Sequence, residues 1–166
     1  MLPVPYSEEA LQSFCDNVNE AQDFFGRQIL VENPSAYLEF VENDYGEVEF
    51  LNKIAQNTGC GILLDINNVF VSCENFKLDA VKYLDQIDVS KVKQIHLAGH
   101  SIHEIAGQNM RIDTHSDIAC DEVVKLFQGF IKKYDPKVPI LYEWDEQIPE
   151  FEVLYNEMLR MKSLVS

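Results

Sequence analysis

Short apolar segments alternate with amphipathic segments along the chain, and this alternation limits the folds open to it. Four segments are apolar on both faces, as buried strands are: residues 28–32 (QILVE), 61–65 (GILLD), 92–97 (VKQIHL) and 139–144 (PILYEW). Helical spacing predicts helices over residues 8–25, 47–57 and 78–85, around 123–131 before Asp135-Pro136, and at the C-terminus through Phe151, Leu154, Met158 and Met161. The pattern predicts an α/β fold with a parallel sheet, either doubly wound or part of a (β/α)₈ barrel.

Composition narrows the class of protein. The 166 residues are 46% hydrophobic, enough for one domain over residues 1–166. Acidic residues outnumber basic ones by 28 to 13, and the net charge of −15 disfavours nucleic acids and anionic membranes as partners. No segment resembles a membrane span or a signal peptide, and the four cysteines form no CxxC pair. We therefore expect a cytoplasmic protein with reduced cysteines.

Each predicted strand carries a potential metal ligand or acid/base group at its C-terminal end. These residues are Glu32, Asp65, His96 and Glu143. In parallel α/β folds, the C-terminal ends of the strands form the functional face. One such carboxylate could simply cap a helix or form an ion pair, but four strand ends out of four indicate a site.

The segment Asp113-Thr114-His115 adds a further pair of ligand types. In extended backbone, residues i and i+2 face the same side, so Asp113 and His115 could bind one ion together. Carboxylates and imidazoles without thiolates favour iron or manganese, with zinc possible. Several carboxylates would repel one another unless two or more cations lay between them, so we expect a multinuclear site.

Other residues near these segments have open roles. His100 is a metal ligand, a donor that orients a ligand, or a substrate contact. Asn67 orients its neighbour or closes a turn, and Gly99 permits an unusual backbone turn. We expect His103 to be a solvated loop residue and Arg111 to be an ordinary surface arginine, with binding of an anionic substrate group as the alternative for Arg111.

The motifs resemble a known family. The strings ILVENPSAYLEF, TGCGILLDINNVFVS, QIHLAGH, RIDTHS and YEWD are similar to the C-terminal half of the multinuclear non-haem iron-dependent oxidases, long catalogued as domain of unknown function 692. The resemblance covers nearly the whole chain. It implies a TIM barrel related in shape to xylose isomerase and endonuclease IV.

The resemblance also implies a ligand set and an activity. The implied metal ligands are Glu32, which would bridge ions, Asp65, Asn68, His96, Asp113, His115 and Glu143, while Asn33, Asn67 and His100 would orient ligands or contact substrate. Family members use two or three iron ions and molecular oxygen. Characterised members oxidise cysteine residues of ribosomally made peptides, usually with a partner protein that holds the peptide leader.

The number of βα units departs from the family pattern, and this affects the predicted fold and activity. The family barrel has eight βα units, and this chain supplies four, so we expect a half barrel that lacks the histidine ligands of the other half and is incomplete or inactive alone. An open sheet with two bare edges and an uncovered interior predicts a homodimer.

Two other functions remain open. A divalent-metal hydrolase or isomerase on the same barrel would need no oxygen, although the net charge of −15 disfavours phosphodiester substrates. A truncated, non-catalytic protein with vestigial ligands would bind metal weakly and show no turnover.

Overall fold

The computed structural model describes residues 4–164. Its helices are α1 (Glu8–Phe25), α2 (Glu47–Thr58), α3 (Ile66–Phe76), α4 (Ala80–Gln86), α5 (Asp121–Tyr134) and α6 (Phe151–Ser163), with a short 3₁₀ helix at Val89–Lys91. Its strands are β1 (Leu30–Glu32), β2 (Gly61–Asp65), β3 (Val92–Leu97), β4 (Ser101–Ile105), β5 (Gln108–Ile112) and β6 (Ile140–Tyr142). No helix in this part of the chain has the length and apolarity needed to cross a membrane.

Four strands form one parallel sheet in the order β1-β2-β3-β6, and helices separate them along the chain. The predicted α/β fold with a parallel sheet is therefore confirmed. The register pairs Glu32 with Leu63, Asp65 with His96, and His96 with Leu141. Because all four strands run the same way, their C-terminal ends meet at one edge of the sheet.

The two faces of the sheet differ in burial. On one face the side chains are fully buried in the core that the helices complete: Ile62, Leu64, Ile95 and Leu97. By register and alternation, the other face carries Leu30, Leu63 and Leu141. Leu30 and Leu63 are only half-buried, and Leu141 is 45% exposed. Within residues 4–164, this second face is therefore only partly covered, since Asp65 and His96 on it are buried but the three leucines are not.

Helix α1 begins and ends where the sequence predicts. The Ser7 hydroxyl accepts a hydrogen bond from the backbone N–H of Ala10, and Gly26 ends the helix with a left-handed φ of 62°. Helix α5 likewise ends at Asp135, as predicted from Asp135-Pro136.

Helix α3 was not predicted from the sequence, and it follows directly after β2. The Asp65 side chain caps this helix by accepting from the N–H of Asn68. The residues from Ile66 to Cys73 are all buried although Asn67, Asn68 and Ser72 are polar, so polarity along this helix does not indicate which residues face solvent.

The predicted loop that contains His103 is instead an antiparallel hairpin of β4 and β5. Its two-residue turn places Ala106 and Gly107 at positive φ, 53° and 78°, the backbone of a type I′ turn. His103 lies on β4, and it is exposed as expected.

The strands at both edges of the sheet are shorter than predicted. Strand β1 begins at Leu30, and β6 ends at Tyr142, so Glu143 follows its strand by one residue. Its backbone N–H still donates to the carbonyl of Leu97, which keeps Glu143 beside β3.

Gly99 is needed for a close approach and not for the unusual turn that we expected, since its φ is not positive. A Cβ at this position would lie 2.1 Å from the carbonyl oxygen of Asp117 and 2.7 Å from that of Ile118. The segment after β3 therefore packs directly on the backbone that leads into α5.

We predict that Gly99→Ala lowers the free energy of unfolding by about 2 kcal/mol or more, because the backbone of two segments must separate. Gly129→Ala is the matched control, since a Cβ there meets nothing within 4 Å. Alanine inside α5 should raise stability by up to about 1 kcal/mol. Urea unfolding of both variants measures the difference, and equal stabilities would contradict the close approach.

Candidate metal centre

Side chains from the C-terminal ends of the parallel strands converge into two sets of potential ligands. The first set is Glu32, Asp65 and His96, and the second is Asp65, His115 and Glu143. Within each set, one ligand atom from every residue lies within 4.8 Å of the others. Asp65 belongs to both sets and so stands at the centre of the cluster.

Asp65 is held rigidly. Its Oδ1 accepts from the N–H of Asn68 at 2.7 Å, and the Asn33 side chain hydrogen-bonds both its N–H (2.9 Å) and its carbonyl (3.0 Å). The side chain is fully buried, and Oδ2 has no hydrogen-bond partner among the described residues. Burial raises the pKa of Asp65 to about 8. A buried carboxylate oxygen without a donor is costly unless a proton or a cation satisfies it.

Asn68 supplies a second unsatisfied oxygen next to Asp65. Its amide nitrogen donates to the carbonyl of Asn33 at 3.0 Å and to Glu32 Oε1 at 3.4 Å. Its Oδ1 is buried with no partner among residues 4–164. Asn68 lies in the first turn of α3, so this helix directs its side chain at the cluster.

Glu32 and its neighbours concentrate negative charge. Burial, followed by the charge of Glu143, raises the pKa of Glu32 to about 7. Asp113 and Asp145 add to this effect. The carboxylates thus repel one another as expected from the sequence.

His96 is engaged at both ring nitrogens. Its Nδ1 lies 2.9 Å from Glu143 Oε2, and its Nε2 lies 2.9 Å from the amide nitrogen of Gln94. An amide nitrogen only donates, so Nε2 accepts and Nδ1–H donates to Glu143. Binding of a cation at Nε2 requires the Gln94 side chain to move. Gln94 was not among the predicted residues, although it lies two positions before His96 on the same face of β3.

Asp113 and His115 lie together, but not through the extended backbone that we predicted. His115 has a left-handed φ of 46°, and no strand covers residues 113–115. His115 Nε2 lies 2.8 Å from Asp113 Oδ1, close enough for an ion pair but without good hydrogen-bond geometry. The predicted proximity is confirmed and the predicted conformation is wrong.

Three carboxylates surround His115. Its Nδ1 lies 3.4 Å from Glu143 and 3.3 Å from Asp145, opposite the contact with Asp113. Burial alone would lower the pKa of His115, but Asp113 and the other carboxylates raise it to about 9. The imidazole therefore carries a positive charge at neutral pH in the metal-free protein. Asp145 was not among the predicted residues; its place directly after Glu143-Trp144 was the available signal.

The remaining predicted residues lie around this cluster. Asn67 Nδ2 donates to Asp113 Oδ1 at 2.7 Å, and its Oδ1 lies 2.9 Å from His100 Nδ1. His100 is in neither ligand set. His103 contacts Ser101 on the hairpin and lies away from the cluster.

A cavity of about 210 Å³ opens at the cluster. Its walls combine acidic groups with a few small or neutral side chains: Glu32, Pro34, Ser35, Asn68, Asp113, His115, Glu143 and Asp145. The arrangement has the donors for hard or borderline cations and space beside them for a ligand.

Comparison with known proteins gives consistent matches. A sequence model of the family described as "RiPP precursor modification enzyme MbnB/TglH/ChrH" matches residues 1–166. A UPF0276 protein of Psychromonas ingrahamii is 43% identical over 157 residues, 95% of this chain and 55% of that protein. One of Vibrio parahaemolyticus is 45% identical over 166 residues, 100% of this chain and 57% of that protein. The chain therefore spans about half the length of these curated relatives.

We predict that the metal-free protein loses stability as the pH rises from about 6 to 9. The folded-state pKa values of Glu32, Asp65 and His115, about 7, 8 and 9, all exceed the ordinary values of 4.5, 3.8 and 6.5. The folded state thus keeps protons that the unfolded state releases, and this stabilisation disappears as the pH passes each folded-state value.

Thermal unfolding of chelator-treated protein across this range measures the effect. Asp65→Asn removes one of the three groups and should make the decline shallower. A melting temperature that is constant or rises with pH would contradict the charge balance described for the cluster.

Proposed function

We propose a function for this chain from its family: the chain belongs to the MbnB/TglH/ChrH family of RiPP precursor modification enzymes. In this proposal it provides the metal-binding part of an iron-dependent oxidase that acts on cysteine residues of ribosomally made peptides. The family predicted from the sequence motifs is confirmed. The observation that carries the proposal is the pair of ligand sets that share the buried, unsatisfied carboxylate of Asp65. The activity of the longer relatives is carried over here as part of the proposal.

The residues fit two divalent cations. Glu32, Asp65 and His96 would hold one ion, and Asp65, His115 and Glu143 the other, with Asn68 Oδ1 and Asp113 at hand as further ligands. Asp65 would thus serve both ions, because it belongs to both sets, whereas the family resemblance suggested Glu32 for this role. Oxygen and imidazole donors without thiolates suit iron, manganese or zinc. Bound iron would supply Lewis acidity and redox chemistry with molecular oxygen.

The protein's own groups prepare the site for cations. In the metal-free protein, protonated His115 is the positive group among five carboxylates: Glu32, Asp65, Asp113, Glu143 and Asp145. A cation must displace the protons that burial and repulsion keep on Glu32 and Asp65, and the proton that the surrounding carboxylates keep on His115. Apparent metal affinity should therefore increase with pH. The open cavity leaves one side of the cluster accessible to a peptide side chain.

The difference in burial between the two faces of the sheet favours part of a barrel as the architecture and disfavours a doubly wound sheet. A doubly wound sheet has helices on both faces, whereas here the helices bury one face. The other face carries Glu32, Asp65 and His96 together with the half-exposed Leu30 and Leu63. In a (β/α)₈ barrel this face would line the interior.

We further propose that a second copy of the chain, or a leader-binding partner protein in the assembled enzyme, covers this face. Strands β1 and β6 are the edges of the sheet within residues 4–164, and their free backbone groups can pair with another strand. The exposed leucine Leu141, beside His96 in the register, would be buried by such a partner. A two-fold pairing of copies would close the sheet and bring further groups to the cluster.

We predict that the wild-type protein is a dimer in light scattering and that Leu141→Glu makes it monomeric. The substitution costs the monomer little because Leu141 is 45% exposed, but it places a charge in the proposed interface. Val81→Glu is the matched control, since Val81 is 58% exposed on α4, on the side of the sheet that the helices cover. A wild-type monomer at high concentration, or equal effects of both variants, would contradict the interface.

We also predict that protein purified without air from iron-rich medium retains about one iron or more per chain by elemental analysis. Asp65→Asn should lose most of this iron, because it removes charge from both ligand sets. His103→Ala is the control and should retain it, since His103 lies outside the cluster. Wild-type protein without iron, or equal retention in Asp65→Asn, would contradict the metal centre.

Oxygen uptake by the iron-loaded protein separates an oxidase from a hydrolase or isomerase. We expect uptake that depends on a cysteine-containing peptide and disappears when serine replaces the cysteine. Turnover of a substrate that is indifferent to oxygen would instead favour a metal-dependent hydrolase or isomerase.

A further inference from the structure

Arg111 lies on β5 and is more than a surface arginine. Its backbone N–H and carbonyl form two hydrogen bonds with the side chain of Asn75 on α3, at 2.9 and 3.0 Å. Its guanidinium lies over the ring of Phe70, 5.1 Å from the centroid, and approaches Glu74 Oε2 at 3.4 Å. These contacts fix the guanidinium against α3, the helix that Asp65 caps.

The guanidinium also sets the tautomer of His100. Arg111 Nη1 lies 2.9 Å from His100 Nε2, and a guanidinium can only donate. His100 Nε2 must therefore accept, so that the proton of the neutral ring is on Nδ1. Burial, followed by the charge of Arg111, lowers the pKa of His100 and keeps the ring neutral.

The hydrogen bonds continue from His100 to Asp113 at the candidate metal centre, each with its donor on the side of His100. His100 Nδ1–H donates to Asn67 Oδ1 at 2.9 Å, which fixes the orientation of that amide. Asn67 Nδ2 in turn donates to Asp113 Oδ1 at 2.7 Å, and the same oxygen lies 2.8 Å from His115 Nε2. Each group in the series has one orientation that satisfies both neighbours.

We propose that Arg111 is a positioning residue for the metal centre and acts through neutral His100 and Asn67 to hold the Asp113 carboxylate beside His115. The proposal rests on the proposed function, since it needs a cation at this cluster. It assigns to His100 the orienting role among the three that the sequence left open. The series Arg111–His100–Asn67–Asp113 is called the relay below.

The sign of an effect on cation binding distinguishes positioning from simple electrostatics. Arg111 is a positive charge near a cation site, so by Coulomb's law its removal should strengthen cation binding. If it positions Asp113 through the relay, its removal should weaken binding, because outer hydrogen bonds that orient metal ligands are typically worth about 10- to 100-fold in affinity.

The test is titration of metal-free protein with Co²⁺ alone, followed by visible absorption. We expect Arg111→Met and His100→Leu to bind Co²⁺ at least about 10-fold more weakly than the wild type. His100→Gln should retain most of the affinity, because an amide can accept from Arg111 and donate to Asn67. Arg27→Met removes a positive charge from an exposed arginine and should not weaken binding. Thermal unfolding of each metal-free variant confirms that it is folded, and the His100 pair serves if Arg111→Met does not fold.

The tautomer of His100 is a second readout that needs no metal. Nitrogen NMR of the metal-free protein should show the Nδ1–H form in the wild type and its loss in Arg111→Met. Unchanged or tighter Co²⁺ binding by Arg111→Met, or equal binding by the two His100 variants, would overturn the positioning role. If the wild type binds Co²⁺ but carries the His100 proton on Nε2, the relay is overturned and the metal centre is not. If the wild type has no affinity for Co²⁺, the metal centre itself is overturned.

Discussion

The buried carboxylate of Asp65 connects the fold to the candidate site. One of its oxygens begins α3 by accepting from Asn68, and the Asn33 side chain joins its backbone to the end of β1. Because the start of α3 is buried on all sides, fixing its N-terminus also fixes the residues further along it that hold the hairpin, such as Asn75. The second oxygen of Asp65 is left for a proton or a cation. Fold and ligand geometry therefore depend on the same side chain.

Charge balance explains how such a cluster can fold without metal. Five carboxylates at one edge of a sheet would oppose folding if all were ionised, and burial increases that cost. The raised pKa values of Glu32 and Asp65, and the positive charge on His115, replace part of the charge that cations would supply. Glu32, Asp65 and His115 thus carry protons in the metal-free candidate site, and cation binding there would release these protons.

The parallel sheet and the convergence of the side chains at its strand ends could be predicted from the sequence, because continuous apolar segments mark buried strands and chain direction puts their ends at one edge. Helix α3 and the hairpin could not, since α3 buries polar residues such as Asn67 and Asn68, and the hairpin exposes Ile102 and Ile105. The left-handed backbone of His115 and the role of Arg111 depend on contacts across long sequence separations. A lone arginine gives no periodic signal, so only the assembled structure identifies its partners.

The exposure of Leu63 and Leu141 on the sheet and the binding of cations at the candidate metal cluster affect each other. The cavity at the cluster is open to solvent, which weakens attraction between cations and carboxylates. A second chain over Leu63 and Leu141 would bury apolar surface, exclude water from the cluster and strengthen that attraction. Cations would in turn remove the repulsion that opposes further burial of the acidic edge. By linkage, a cation that binds the covered form more tightly would also stabilise that form, so association and metal binding would reinforce one another.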